Sequence, residues 1–334
     1  MRAIKFLGAN NVKCVECEEP KKREGFALIK VEYAGICGTD LNIYAGTHPR
    51  AKEQLIIGHE FSGVLMEDTD KLKAGTRVTA YPLISCMKCT PCLNGNKHVC
   101  NTLGLYGIDD AGGMAEYVMI PKDQIIPLPD DVSSKLGAFI EPIAVTVHTL
   151  RETGFVVGSN ALVFGCGTIG LCLALTLKNY GAGKILLAET DPSRINVAKE
   201  LGFEVINPAE DDLMAIVKEK TGGDGFDFVY DCAGAPAVAN VLLDVVKVKG
   251  KIVIVASYKK PAELPLFKGM AKELSIQFVR VYRQNDFELA TELAQKEPLF
   301  EKIITNVLPP EKVQEAFDLL FTKGTGAIKV MFEF

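Results

Sequence analysis

The chain has 334 residues, 48% apolar and 24% charged, a mixture that excludes collagen-like, low-complexity and largely disordered proteins. Its 37 lysines and arginines against 42 aspartates and glutamates leave a net charge of −5, which gives no support to nucleic acid as the partner. No apolar run reaches the ~18 residues that span a bilayer. Met1 to Gly8 has no signal-peptide core, so a cytoplasmic protein with no membrane partner is expected.

Up to about residue 140, glycine and proline punctuate short β-type runs. Phe26–Tyr33, Gly63–Met66, Arg77–Tyr81 and Ala115–Ile120 predict an antiparallel or barrel-like β domain. After Glu141 the texture changes. Ile143–Arg151 reads as a helix, broken by Gly154 and Gly158. Six apolar runs follow, at Ala161–Phe164, Ile185–Ala188, Glu204–Ile206, Phe228–Asp231, Ile252–Ala256 and Ile276–Val281. Helical stretches at Ile169–Tyr180, Pro192–Leu201, Asp211–Lys220 and Ala237–Val248 separate most of them. Strands alternating with helices predict right-handed crossovers and a doubly wound parallel α/β sheet. From about Gln295 come an amphipathic helix, Pro310–Thr322, and a β run, Ile328–Phe332, able to return to the first domain. The expected division is residues 1–150, 151–292 and a returning segment 293–334.

Gly165-Cys-Gly167-Thr168-Ile169-Gly170 fits G-x-G-x-x-G, follows the apolar run Ala161–Phe164 and opens a helical one. The first glycine permits a tight turn, the second lets the backbone approach a pyrophosphate, and the third allows close helix–strand packing. The helix N-terminus offers free amides to phosphates. Nineteen residues after Gly170, Glu189 can accept hydrogen bonds from ribose hydroxyls and would repel a 2′-phosphate, favouring NAD. Arg194 is the counter-signal, since an arginine there could accommodate that phosphate.

Cys86, Cys89, Cys92 and Cys100 lie within fifteen residues, spaced C-x2-C-x2-C-x7-C. Four thiolates suit a structural zinc, and an iron–sulfur cluster uses similar ligands. The intervening Pro91, Asn94, Gly95 and Asn96 make a polar loop with little core of its own, so a metal clip is physically sensible. Cys14 and Cys17 sit in an extended stretch, where residues three apart point to opposite faces, and read as non-ligands. Cys166, Cys172 and Cys232 read as small core residues. Three further segments join a metal-capable side chain to a turn: Gly35-Ile-Cys37-Gly-Thr39-Asp40, Gly58-His59-Glu60-Phe61 and Phe139-Ile-Glu141-Pro142.

With Ala111-Gly-Gly-Met-Ala-Glu-Tyr117, the cysteine lobe and the glycine fingerprint, these segments occur in one order over nearly the whole chain. In that order the sequence resembles the zinc-containing medium-chain dehydrogenase/reductases, in particular the branch of sorbitol and other polyol dehydrogenases, threonine dehydrogenase and butanediol dehydrogenase. The resemblance implies a GroES-like β-barrel catalytic domain beside a Rossmann domain, two zinc ions per chain and NAD. It implies that Cys37 and His59 hold a catalytic zinc, that Glu60 is the next ligand or a close neighbour, and that Glu141 acts on the metal directly or through water. Thr39 would pass the alcohol proton towards solvent, and Cys86, Cys89, Cys92 and Cys100 would hold the structural zinc. The implied activity is hydride transfer between NAD and a secondary alcohol, a polyol or sugar alcohol. L-threonine, 2,3-butanediol and sugar-alcohol phosphates are rival substrates, and a nucleotide-binding structural protein is the non-enzyme rival. The implied assembly is a homodimer or homotetramer joined near Ile276–Val281.

The resemblance thins at the substrate. Asn42 replaces a histidine found in several polyol and threonine dehydrogenases, which counts against threonine. Tyr44 matches a polyol-branch tyrosine and reads equally as a substrate contact or as ordinary packing. Arg280, Tyr282 and Arg283 fall near where relatives contact substrate. Asn306 stands where many relatives have histidine.

Overall fold

In the computed structural model, which describes residues 1–334, strand Phe26–Gly35 is the spine of a seven-stranded sheet. Its alternation buries Ala27, Ile29 and Val31 and turns Lys30 to solvent, as a half-buried strand requires. Spatial order runs Ile125–Pro127, Arg77–Ala80, Glu60–Leu65, Phe26–Gly35, Lys329–Glu333, Ile304–Leu308, with Tyr117–Pro121 also on Phe26–Gly35. All pairs are antiparallel except Ile304–Leu308 with Lys329–Glu333. A three-stranded sheet of Asn11–Glu16, Arg2–Gly8 and Leu55–Ile56 adds to the same unit. Ile4, Ile29, Phe61, Val78, Ile120, Phe317 and Phe332 share its core. Each such side chain contributes roughly 1.5–3 kcal/mol on burial.

The second unit is a six-stranded parallel sheet. Numbering Ala161–Phe164, Ile185–Ala188, Glu204–Ile206, Phe226–Asp231, Val246–Ile254 and Ser275–Phe278 one to six, the spatial order is 3-2-1-4-5-6. That is the Rossmann order, reversing direction at the first strand. Apolar runs form these strands because both faces are covered: Leu162, Val163, Leu187, Val229 and Val253 are fully or almost fully buried.

Three elements depart from the sequence reading. Ala237–Val248 is not one helix but two short ones, Pro236–Ala239 and Leu242–Val245, because Val246 already pairs with Phe226 as strand. The β-branched Val246 and Val248 suit that strand better than a helix. The last strand stops at Phe278, and Val281 lies in the left-handed region at φ 48°. Pro310 opens a short 3-10 turn, and the helix proper is Val313–Phe321.

The compact units are Met1–Ala144 with Tyr282–Phe334, and Val145–Val281. The first boundary falls inside helix Ile140–Thr153 rather than at 150. The second falls at Tyr282 rather than 293, since helix Gln284–Lys296 sets Phe287 against Tyr282 and Tyr81 of the first unit, ring centroids 5.3 and 6.2 Å away. No helix is long and apolar enough to cross a membrane.

Candidate metal centre and dinucleotide loop

Three neighbouring strands of the first unit bring the candidate ligands to one sheet end. Gly35 ends the spine strand opposite Glu60 on one side and Met331 on the other. Cys37 follows Gly35, His59 precedes Glu60, and Lys329 opens the third strand. A side chain on Gly35 would meet Glu60 Oε2 at 2.4 Å, so only glycine lets that carboxylate lie across the strand. Cys37 caps helix Gly38–Tyr44, its N–H donating to Asp40 Oδ2 at 2.8 Å. Thr39 Oγ1 lies 3.7 Å from Cys37 Sγ.

Cys37, His59 and Glu60 offer ligand atoms that all lie within 4.8 Å of one another. His59 and Glu60 are buried and Cys37 is half-buried, so the group is closed on its inner side and reachable on the other. His59 Nδ1 and Asp40 Oδ1 are buried without a hydrogen-bond partner. Such orphans are costly unless a further group completes the site. A cation on one His59 nitrogen would place the ring proton on the other, and Asp40 carries the neighbouring negative charge. The donor set of thiolate, imidazole and carboxylate suits zinc.

Burial alone would lower the His59 pKa, but the charges of Cys37, Asp40 and Glu141 pull it well above the usual value. Burial pushes the Asp40 carboxyl up, and His59 opposes the shift. Lys329, fully buried, would lose its proton by desolvation, but Glu60 and then Cys37 hold its pKa above the usual value. Glu141 stands outside the trio of converging ligand atoms. Its Oε1 accepts a 2.6 Å hydrogen bond from the Tyr282 hydroxyl. Burial pushes Glu141 up to about 7, with the Glu60 charge adding to the effect.

In the cysteine lobe, Sγ of Cys89 lies 3.4 Å from that of Cys92 and 3.8 Å from that of Cys100, with no disulfide formed. All four sulfurs fall within 4.8 Å of one another. A tetrahedron with Zn–S bonds of about 2.3 Å has edges of about 3.8 Å. The spacing therefore fits one zinc; an iron–sulfur cluster, with several irons between its thiolates, needs wider separation. The amides of Cys86 and Thr102 donate to Cys100 Sγ at 3.3 and 3.4 Å, and amide donors led by Lys88 hold Cys86 near 6. Cys14 and Cys17 join neither group.

In the second unit, Gly165 adopts φ 95°, and a side chain on Gly170 would meet Gly165 O at 1.8 Å. Protein packing thus explains the first and third glycines. Gly167, the N-cap of helix Thr168–Asn179, would meet only Arg194 at 3.9 Å, so its bareness leaves a cradle that a dinucleotide's pyrophosphate fits. Thr168 and Ile169 form the first turn of that helix. Glu189 accepts from the amides of Cys166 at 2.8 Å, Thr190 at 2.7 Å and Asp191 at 3.0 Å, which fixes it against the glycine loop. Arg194 lies 4.0 Å from Glu189.

Tyr44, half-buried, stacks on Phe317 with centroids 5.1 Å apart, and its hydroxyl accepts from Gln314 of helix Val313–Phe321 at 3.1 Å. Arg283 donates to Asn96 of the lobe at 3.1 Å. The sequence reading missed Lys329 and Asp40. Asp40 carried a signal, its place three residues after the capping Cys37. Lys329 carried none, because only strand pairing brings it to Glu60.

Two family models match the chain: the alcohol dehydrogenase GroES-like domain over residues 23–130 and zinc-binding dehydrogenase over 168–296. The chain is 33% identical to 2-dehydro-3-deoxy-L-galactonate 5-dehydrogenase of Pseudoalteromonas atlantica, covering 95% of this chain and 94% of that protein. It is 32% identical to (R,R)-butanediol dehydrogenase of Bacillus subtilis, over 99% of each. Among solved structures, the Escherichia coli CFT073 alcohol dehydrogenase RspB complexed with NADH superposes with a TM-score of 0.91 at 29% identity, covering 100% of this chain and 99% of that one. Motif order, the two-unit architecture and these likenesses agree: the chain belongs to the zinc-containing medium-chain dehydrogenase/reductase family.

Proposed function

We propose that the protein is a zinc- and NAD-dependent dehydrogenase of a secondary alcohol on a hydroxyl-rich small molecule, a polyol or sugar derivative. The observation that carries this reading is the contrast between two metal-capable groups. One is a four-thiolate lobe, saturated for a tetrahedral ion; the other is a three-ligand group with a half-exposed thiol and a further carboxylate beside it. Zinc held by Cys37, His59 and Glu60 would polarise the substrate oxygen as a Lewis acid, and NAD would take the hydride.

The chain's own residues do the rest. Thr39, beside Cys37 and half-exposed, is placed to accept the alcohol proton and hand it on to solvent. Lys329 neutralises Glu60, so the group as a whole keeps a cation attractive to an alcohol oxygen. After taking three amides, Glu189 keeps about one of its roughly four lone-pair sites, on Oε2, for a ribose hydroxyl. With Arg194 already beside Glu189, a 2′-phosphate would meet a carboxylate as well as a cation, which supports NAD over NADP.

Substrate class draws support from relatives that are named for a sugar-derived acid and for a diol. Asn42 in place of histidine disfavours threonine. A cytoplasmic homodimer or homotetramer accompanies the proposal. Strand Ser275–Phe278 is an open edge of its sheet, and Leu266, Phe267, Met270 and Phe278 are exposed on the same unit. The decisive experiment is NAD reduction across polyols, sugar acids, sugar phosphates, diols and threonine. Turnover of polyols or sugar derivatives is expected; activity confined to threonine would overturn the substrate class, and none with any alcohol would overturn the enzyme reading.

A further inference from the structure

Tyr282 is completely buried, and its hydroxyl has one carboxylate to serve, Glu141. At 2.6 Å this is a short hydrogen bond. Three restraints act on that one hydroxyl. The ring is wedged edge-on against Tyr81 and Phe287, with centroids 5.8 and 5.3 Å away. The Tyr81 hydroxyl donates to the Tyr282 carbonyl at 3.3 Å and so fixes the backbone as well. The preceding Val281 sits at φ 48°, a conformation a β-branched residue adopts only where surrounding structure enforces it. So much restraint on a mere space-filling tyrosine would be wasteful.

Its consequence lies on Glu141. The three other candidate ligands converge within 4.8 Å, and Glu141 does not, although its charge acts on His59. We propose that Tyr282 is a positioning residue that holds Glu141 off the metal group, so that Glu141 addresses the ion through water or substrate and the fourth metal position stays open. The inference rests on the zinc reading of Cys37, His59 and Glu60 given above. Without the Tyr282 hydroxyl, Glu141 would swing in as a fourth protein ligand and close that position.

The test uses the full-length protein loaded with zinc or with cobalt(II), whose visible d–d bands report coordination. In Tyr282→Phe the bands should change, zinc should bind about 10-fold more tightly in chelator competition, and kcat should fall about 10-fold or more with KM moved less. Tighter metal with slower turnover is a signature that simple loosening of the core would not produce. On a Glu141→Gln background the same substitution should leave the bands unmoved, which isolates the pair. Unchanged bands and unchanged zinc affinity in Tyr282→Phe would overturn the inference, as would a change of equal size on the Glu141→Gln background. Should the wild-type chain bind metal at the cysteine lobe alone, the zinc reading itself falls, and the inference with it.

Discussion

Lys329 Nζ donates to both carboxylate oxygens of Glu60, at 2.8 and 2.6 Å, and both side chains are only 2% exposed. Nζ also donates to Ile36 O at 2.8 Å. This ion pair places a full positive charge beside the candidate metal group, and neither partner has water to fall back on. Removing one partner strands the other. Lys329→Met should cost about 3–5 kcal/mol in urea unfolding, and Lys329→Met with Glu60→Gln should recover most of it. A single-variant loss below about 1 kcal/mol would show that the pair does not hold the sheet end together.

Cys37→Ala and His59→Ala should each remove one of two zinc ions and lower turnover by about a thousandfold or more. NADH affinity, set by the second unit, should stay within about threefold, because the glycine loop and Glu189 are untouched. Elemental analysis and NADH fluorescence titration read the two effects separately. Near-normal turnover with the second zinc gone would defeat the metal-centred reading.

The lobe supports structure. Cys92→Ala should leave one zinc per chain and lower the melting temperature by about 5 °C or more, because a polar loop with so little core depends on its metal clip. If zinc content stayed at two per chain, the four-thiolate assignment would be wrong.

Glu189→Ala should weaken NAD binding about 10- to 100-fold, the range expected for losing charged hydrogen bonds of roughly 1.5–3 kcal/mol. It should also narrow the preference for NAD over NADP, since the carboxylate that would repel the extra phosphate is gone. The ratio of kcat/KM for the two coenzymes is the measurement. An unchanged ratio would remove Glu189 from coenzyme selection.

The Arg2 amide, followed by its guanidinium, holds the Glu116 carboxyl below the usual 4.5. A lowered folded pKa gives stability that is present above the unfolded pKa and lost as pH falls through the folded one. The pair is partly exposed, so Glu116→Gln should cost less than about 1 kcal/mol at pH 7. The difference from wild type should disappear between about pH 5 and pH 3. Urea midpoints at the two ends of that range decide it; a gap that persists at low pH would assign the loss to packing.

Much of the second unit was legible in the sequence. Ala161–Phe164, Ile185–Ala188 and Glu204–Ile206 are strands with the boundaries read from their apolar runs, and the glycine fingerprint sits where one of them turns into a helix. Buried parallel strands announce themselves because both faces must be apolar. The stretch 237–248 misled, because helix-compatible residues there give way to the β-branched Val246, which pairs with Phe226.

The candidate site divides along the same line. Local chemistry pointed to the lobe cysteines and the glycines, since clustered thiols and a glycine-rich turn are visible within a few residues, whereas Cys37, His59 and Glu60 were expected as ligands only through the resemblance. Local chemistry could not carry Lys329, which lies 269 positions from Glu60 and meets it through adjacent strands. Nor could it show that the Tyr282 hydroxyl donates to Glu141 across 141 positions, or that Tyr44 stacks on Phe317. Which side chains can bind an ion or a phosphate is a property of residue type and short spacing, and the sequence alone determines it. Which carboxylate faces the ion, which is neutralised and which is held aside depends on contacts between residues far apart in the chain, and those exist only once the strands have paired.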